Sequence, residues 1–171
     1  MKLYGFSASP NTSKVMAVAA HLGLPLDYQE VDLTRGEQRK PSFLKLNPNG
    51  LTPTLVDGDF VLWESNVVMQ YLACKKKGNK LFPAEVKVRA DITRWQFWAA
   101  AHWERATNTL QWENLLKPMF GIGPPDLAKI AEAEESFHRH AAVLNKKLAN
   151  RKYIMGDAIT LADFSIAASL V

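Results

Sequence analysis

Ser7-Ala8-Ser9-Pro10-Asn11-Thr12-Ser13-Lys14-Val15 lies between two apolar runs of different period. Before it, Leu3-Tyr4-Gly5-Phe6 alternates weakly and suits a strand over 2–6. After it, Val15-Met16-Ala17-Val18-Ala19-Ala20-His21-Leu22 reads as a helix over 11–22, closed by Gly23 and Pro25. The polar cluster therefore sits at a strand-to-helix turn. Backbone N–H groups at such a turn have no intrahelical acceptor, and the helix dipole is positive there. Together these favour a bound anion. A serine followed by proline is also an ordinary helix start, with Ser9 as the cap and Pro10 at the first helical position. Spacing alone leaves Ser9 open between the two roles.

Moving outward, Leu26-Asp27-Tyr28-Gln29-Glu30-Val31 alternates with period two and predicts a second strand, parallel to the first in a right-handed βαβ unit. Residues 36–46 are polar and then weakly helical, and Asn47-Pro48-Asn49-Gly50 is a turn. Thr54-Leu55-Val56-Asp57 and Phe60-Val61-Leu62-Trp63 flank Gly58-Asp59 and predict a β-hairpin. A helix follows over 64–77, with Val67, Val68, Tyr71 and Leu72 as its buried face. The order β-α-β then β-β-α is that of a thioredoxin-like domain.

Beyond residue 78 the strand signal stops. Residues 87–117 form one long helical pattern, with Ile92, Trp95, Ala99, Trp103, Ala106 and Leu110 along one side. Three prolines and two glycines break it over 118–125, a second helix runs over 126–150, and a third begins at Thr160. The expected organisation is an α/β thioredoxin-like domain over 1–77, a linker over 78–86, and an all-α helical domain over 87–171. Ile159-Thr160-Leu161-Ala162-Asp163-Phe164 reads as a capping box with a hydrophobic staple, Ile159 against Phe164. The third helix reaches Val171 without a C-terminal cap, so a missing C-terminal segment is expected.

Composition narrows the class. Hydrophobic residues make up 47% of the 171, and five Trp with eight Phe supply a substantial core. No apolar run approaches the roughly 18 residues of a membrane helix, and the polar start does not suit a signal peptide. The single cysteine, Cys74, permits neither a disulfide framework nor a Cys-rich zinc site, so a cytoplasmic location is expected. Cys74 reads as a small core residue on an apolar helix. The net charge of +4 gathers in part at Lys75-Lys76-Lys77-Gly78-Asn79-Lys80, where cations complement a helix C-terminus and Gly78 suits a left-handed cap. No aromatic interleaving accompanies these lysines, so neither nucleic acid nor membrane is an expected partner. His138 and His140 are two apart on a helix and lack metal-ligand companions, so no metal site is expected.

These residues resemble the soluble glutathione transferases over essentially the whole chain. Four features carry the resemblance: the turn Ser9-Pro10-Asn11, the loop Asn47-Pro48-Asn49-Gly50-Leu51-Thr52-Pro53-Thr54-Leu55, the helix start Trp63-Glu64-Ser65-Asn66, and the cap from Thr160 to Asp163. The first feature is similar to the serine-type theta and phi classes, where a serine six residues before a helix valine is catalytic. Here those residues are Ser9 and Val15. Ser9 with Asn11 also resembles bacterial classes with a Thr-Pro-Asn arrangement, and the class stays open. Tyr4 lies inside the first strand, not where other classes keep a catalytic tyrosine.

The resemblance implies an enzyme that adds glutathione to small hydrophobic electrophiles, with peroxide reduction as a further activity and detoxification as its setting. Where redox proteins of thioredoxin fold carry Cys-x-x-Cys, this chain has Ser9-Pro10-Asn11-Thr12, so the thiol must arrive with the substrate. Ser9, helped by Asn11, would hold the thiolate. A thiol pKa of about 8.5 leaves about 3% thiolate at pH 7, and a shift of two units needs roughly 2.7 kcal/mol. One charge-assisted hydrogen bond supplies about 1.5–3 kcal/mol. Glu64 and Ser65 would receive the γ-glutamyl carboxylate, or serve simply as a helix start. Leu51 and Thr52, before a cis Pro53, would contact the cysteinyl part. Gln38 and Arg39 stand where phi-like proteins carry a His-Lys pair for the glycyl end. Trp98, His102 and Arg105, read as facing away from Trp95, Ala99 and Trp103, would line a second-substrate pocket or pack against a partner subunit. The resemblance further implies a homodimer and no cofactor, glutathione being a co-substrate. A non-catalytic ligand-binding or protein-interaction module of the same fold is the alternative.

Overall fold

The computed structural model describes residues 1–170; Val171, where the sequence reading ends the third helix, lies outside the described residues. The chain divides at Pro83/Ala84 into two units.

The first unit is a four-stranded sheet with order β2-β1-β3-β4. Its strands are β1 (Lys2–Gly5), β2 (Asp27–Glu30), β3 (Thr54–Asp57) and β4 (Phe60–Trp63). β1 and β2 run parallel with Gly5 opposite Glu30, joined through helix α1 (Pro10–Leu22). β3 runs antiparallel to β1, with Tyr4 opposite Thr54, and to β4, with Thr54 opposite Trp63. Helix α1 starts at Pro10, whose fixed φ suits a first helical position, and stops at Gly23 in the left-handed region (φ 65°), whose N–H caps Ala19 and Ala20. A 3-10 turn (Glu37–Arg39) and the short α2 (Pro41–Leu44) cross between β2 and β3, and α3 (Ser65–Lys75) follows β4. The core joins Leu3, Val15, Val18, Leu55, Val68, Met69 and Leu72, each fully buried.

Two expectations for α3 are corrected. Its buried stripe is Val68, Met69, Leu72 and Ala73, while Val67 is exposed and Tyr71 half-buried. Tyr71 instead turns its hydroxyl to Asp57, which also pairs with Lys75. Cys74 falls outside that stripe and is exposed, so it is not a core residue.

The second unit is helical. One helical path runs from Val86 to Met119, but it is not uniform. The α-helical pieces α4 (Val86–Trp98), α5 (Glu104–Gln111) and α6 (Lys117–Met119) alternate with π-helical turns at Ala99–Trp103 and Trp112–Leu116. The Glu85 carboxylate caps α4 by accepting from Lys87 and Val88 N–H. Asp126 caps α7 (Leu127–Leu148) in the same way, and α8 (Leu161–Ala167) ends in a 3-10 turn.

The expected capping box of α8 is formed. Asp163 Oδ2 accepts from Thr160 N–H at 2.7 Å, and Oδ1 reaches back to Ile154 N–H at 2.8 Å. Ile92, Trp103, Leu161 and Ala162 form the buried centre of this unit. Two polar groups that the apolar pattern did not single out lie there too. Gln96 donates to Ser165 Oγ at 3.3 Å, and Glu113 accepts from Lys117 Nζ and Asp126 N–H, both at 2.8 Å. The last contact ties the end of the long helical path to the start of α7. Those two donors, Lys117 first, hold the Glu113 carboxyl below the usual carboxylate range.

Candidate active site

The strand registers fix where the site lies. Gly5 ends β1 and Glu30 ends β2, paired at one level, and that level passes through Thr54 at the start of β3 and Trp63 at the end of β4. The turn over 6–9, the loop before Thr54 and the start of α3 therefore emerge at the same end of the sheet.

Ser9 occupies the N-cap position of α1 with extended backbone (φ −88°, ψ 123°), and its side chain makes no capping hydrogen bond. The turn is closed by its backbone: Ser9 N–H donates to Phe6 O at 2.9 Å, and Ser9 O accepts from Thr12 and Ser13 N–H, each at 3.0 Å. Thr12 is buried and accepts from Phe6 N–H at 3.3 Å. Ser7 is held from the sheet, since Glu30 Oε1 accepts from its N–H at 3.1 Å and from its hydroxyl at 3.2 Å. The other oxygen of Glu30 accepts from Tyr28 O–H. Sequence reasoning missed Glu30, which carries no local signal beyond its place in a strand.

Asn11, in the first turn of α1, accepts from Ser65 Oγ at 3.0 Å, which joins the N-termini of α1 and α3 across 54 positions of sequence. Glu64 just before α3 has φ 71° and ψ 105°, the one non-glycine residue with positive φ among those described. Such a conformation costs on the order of 1–3 kcal/mol and concentrates at functional sites. Glu64 is exposed and its carbonyl accepts the first α3 bond, from Val68 N–H at 2.9 Å.

The loop before β3 is ordered by Asn47. Its Nδ2 donates to Leu51 O at 2.8 Å, and its Oδ1 accepts from Asn49 N–H at 3.0 Å. The Thr52–Pro53 bond is cis, as the resemblance implied. Gly50 has φ 62° in close quarters: a Cβ there would lie 3.0 Å from Gln38 O and 3.1 Å from Arg39 Nη1. Only glycine suits this approach. It sets Gln38 and Arg39 beside the loop that carries Leu51. Leu51 and Arg39 are exposed, and the buried Gln38 Oε1 accepts no hydrogen bond.

The three residues read from the long helix do not share one setting. Trp98 does not face away from Trp95 and Trp103: its ring centroid lies 5.3 Å from that of Trp95 and 6.3 Å from that of Trp103, the latter pair stacked. His102 stacks on His140 of α7 at 5.6 Å, a partner the sequence did not suggest. Arg105 is exposed. Burial, then the charge of Arg139, holds the His140 pKa below its ordinary value. Among the described residues no three His, Cys, Asp or Glu gather as metal ligands, and no helix is long and apolar enough to cross a membrane.

Comparison with known proteins fits this geometry. Residues 1–74 match the N-terminal domain model of glutathione S-transferase, and residues 113–170 match its C-terminal domain model. Glutathione S-transferase 3 of Zea mays is 38% identical over 165 residues, covering 95% of this chain and 73% of that protein. The crystal structure of glutathione transferase F7 from Populus trichocarpa superposes with a TM-score of 0.91 at 30% identity, covering 98% of this chain and 80% of the other. A glutathione transferase from Phanerochaete chrysosporium, solved with oxidized glutathione, gives 0.89 at 30% identity, with 99% and 76% covered. With both domain models matched in order and a relative 38% identical over 95% of this chain, the chain belongs to the glutathione S-transferase family.

Proposed function

We propose that this glutathione transferase activates its co-substrate through Ser9, whose hydroxyl donates to the glutathione sulfur and keeps it ionised for attack on small hydrophobic electrophiles. One observation carries the reading: Ser9 heads α1 without spending its hydroxyl on the helix. The usual cap would consume that group in binding the helix's own N–H. Left free at a helix N-terminus, it adds a directed donor to a positive dipole. A charge-assisted bond of about 1.5–3 kcal/mol matches the roughly 2.7 kcal/mol that a two-unit fall in thiol pKa requires. Beyond that, catalysis is the proximity of thiolate and bound electrophile.

The remaining roles follow from the same end of the sheet. Ser65, through its backbone N–H, with Glu64 and the N-terminus of α3, receives the γ-glutamyl carboxylate. Asn11 holds that helix start against α1 through its bond to Ser65. Leu51 and the backbone of Thr52, before the cis Pro53, take the cysteinyl part, and Arg39 with Gln38 takes the glycyl carboxylate. We assign Trp98, His102 and Arg105 of the helical unit to the second substrate. Peroxide reduction would use the same thiolate. The reading further includes action as a cytoplasmic homodimer without a resident cofactor.

Replacing Ser9 by alanine tests the mechanism. With glutathione bound, the thiolate absorbance in the near ultraviolet is titrated against pH, and conjugation of 1-chloro-2,4-dinitrobenzene is followed in parallel. Ser9→Ala should raise the bound thiol pKa by about two units and, through the smaller thiolate fraction, cut kcat/KM near pH 7 by roughly 25-fold, with glutathione affinity largely kept. A titration that does not move overturns the role of Ser9. Binding without turnover in the parent protein, unaffected by the substitution, would instead favour the non-catalytic module.

A further inference from the structure

We infer that Glu30 is a positioning residue for the transferase reaction: from the end of β2 it holds Ser7, and so the turn that aims the Ser9 hydroxyl. The inference rests on the proposed role of Ser9.

β1 and β2 stay paired through Gly5 and Glu30, where Val31 N–H donates to Gly5 O at 2.7 Å, and the strands part beyond that point. The turn over 6–9 is tied to itself and to α1 by Phe6 N–H to Thr12 Oγ1, Ser9 N–H to Phe6 O, and the N–H groups of Thr12 and Ser13 to Ser9 O. Its link to the sheet is the two-donor grip of Glu30 Oε1 on Ser7, at 3.1 and 3.2 Å. Tyr28 O–H fixes the second carboxylate oxygen, so three donors hold one exposed side chain in a single orientation. Burial, then the bond to Glu30, raises the Tyr28 pKa well above its ordinary value, so this hydroxyl remains a donor through the working pH range. Exposed polar contacts of this kind add little to stability. Their consistent effect is geometric, and they act two residues from Ser9.

Charge and geometry pull in opposite directions here, which makes the inference testable. Removing a carboxylate from the neighbourhood of a thiolate should lower the thiol pKa, because a repulsion is lost. Removing the grip on the turn should raise it, because Ser9 donates less well. Glu30→Ala is therefore expected to raise the pKa of bound glutathione by about one unit and to lower kcat/KM near neutral pH about threefold, with little change in unfolding midpoint. Glu30→Gln keeps one acceptor oxygen for Ser7 without the charge and should recover most of that loss. Tyr28→Phe, which keeps the charge and frees the second oxygen, should shift the pKa upward by less.

In a Ser9→Ala background, Glu30→Ala should add nothing to the titration. An unmoved or lowered pKa in Glu30→Ala, alongside a raised one in Ser9→Ala, overturns the role of Glu30 and leaves that of Ser9 standing. A raised pKa in Glu30→Ala with an unmoved one in Ser9→Ala shows that Glu30 does not act through Ser9, and additive shifts in the double variant overturn the inference in the same way. Should Glu30→Ala fail to fold, an unmoved titration in Tyr28→Phe overturns it.

Discussion

Adding one methyl group at Gly5 should disturb the site from beneath. A Cβ at that position would lie 2.5 Å from Thr12 Cγ2, 3.0 Å from Thr12 Oγ1 and 3.1 Å from Tyr28 Cε2. Thr12 cannot swing aside freely. It is 2% exposed, its Oγ1 accepts from Phe6 N–H, and a β-branched side chain in a helix has few rotamers. The first turn of α1 must therefore move away from β1 by close to 1 Å, and Ser9 moves with it. Overpacking of this kind costs about 1–3 kcal/mol, and a misplacement of about 1 Å near the chemistry can cost on the order of 100-fold in rate. Thr12→Ser removes the methyl that makes the closest contact and keeps the oxygen that Phe6 needs. Alone it should cost about 0.8 kcal/mol, the value of one buried carbon. Combined with Gly5→Ala it should recover about half or more of the lost stability, a coupling of about 1 kcal/mol. Urea unfolding of the two single variants and the double variant, with conjugation rates measured beside it, completes the cycle. Strict additivity of the two substitutions would refute the proposed collision.

Asp163→Ala should destabilise the protein by about 2–4 kcal/mol in urea unfolding, because the N–H groups of Ile154 and Thr160 lose one acceptor residue and an orphaned donor costs about 1–3 kcal/mol; Asp163→Asn keeps one oxygen and should cost about half as much. His140 has a depressed pKa in the folded chain, so the unfolded chain binds its proton more readily. Its stability contribution is complete above the unfolded value of about 6.5 and is lost as pH falls below it. Thermal unfolding from pH 7.5 to 5.5 should therefore decline less steeply in His140→Phe than in the parent, and equal slopes would remove His140 from the account.

The legible parts of this chain were those whose signal is local. The hairpin around Gly58-Asp59 needs only alternation and a turn, and its strands fall at the expected residues. The Thr160 box needs only residues three apart. The parts that escaped depend on contacts the sequence cannot bring together by itself. Glu30 meets Ser7 across 23 positions, and the first oxygen of Asp163 meets Ile154 across nine. The misreading of Trp98 has a different cause. Trp98 follows Trp95 by three residues within α4, so ordinary α geometry already makes the two neighbours, and placing them on opposite faces was an error of spacing. The contact with Trp103 has another origin: the π turn at Ala99–Trp103 widens the spiral, so residues five apart come into register, as the stack of Trp98 on Trp103 at 6.3 Å records. No propensity in Ala-Ala-Ala-His-Trp announces that change.

The antiparallel sense of β3 decides the character of the site. β1 and β4 each run toward the functional edge and hand over to a helix, so two helix N-termini arrive there with unpaired N–H groups. Had β3 been parallel to them, a third strand end would join that edge. Because it runs the other way, the edge receives the loop that leads into it, with Leu51, Thr52 and the cis Pro53. Two positive dipole ends beside a loop are what the proposed reading needs for an extended tripeptide with one carboxylate at each end and a thiolate between. In that proposal the helix start bearing Ser65 serves a carboxylate and the one bearing Ser9 serves the sulfur. The bond from Ser65 to Asn11 ties the two helix starts together, which would preset the spacing of the two anions.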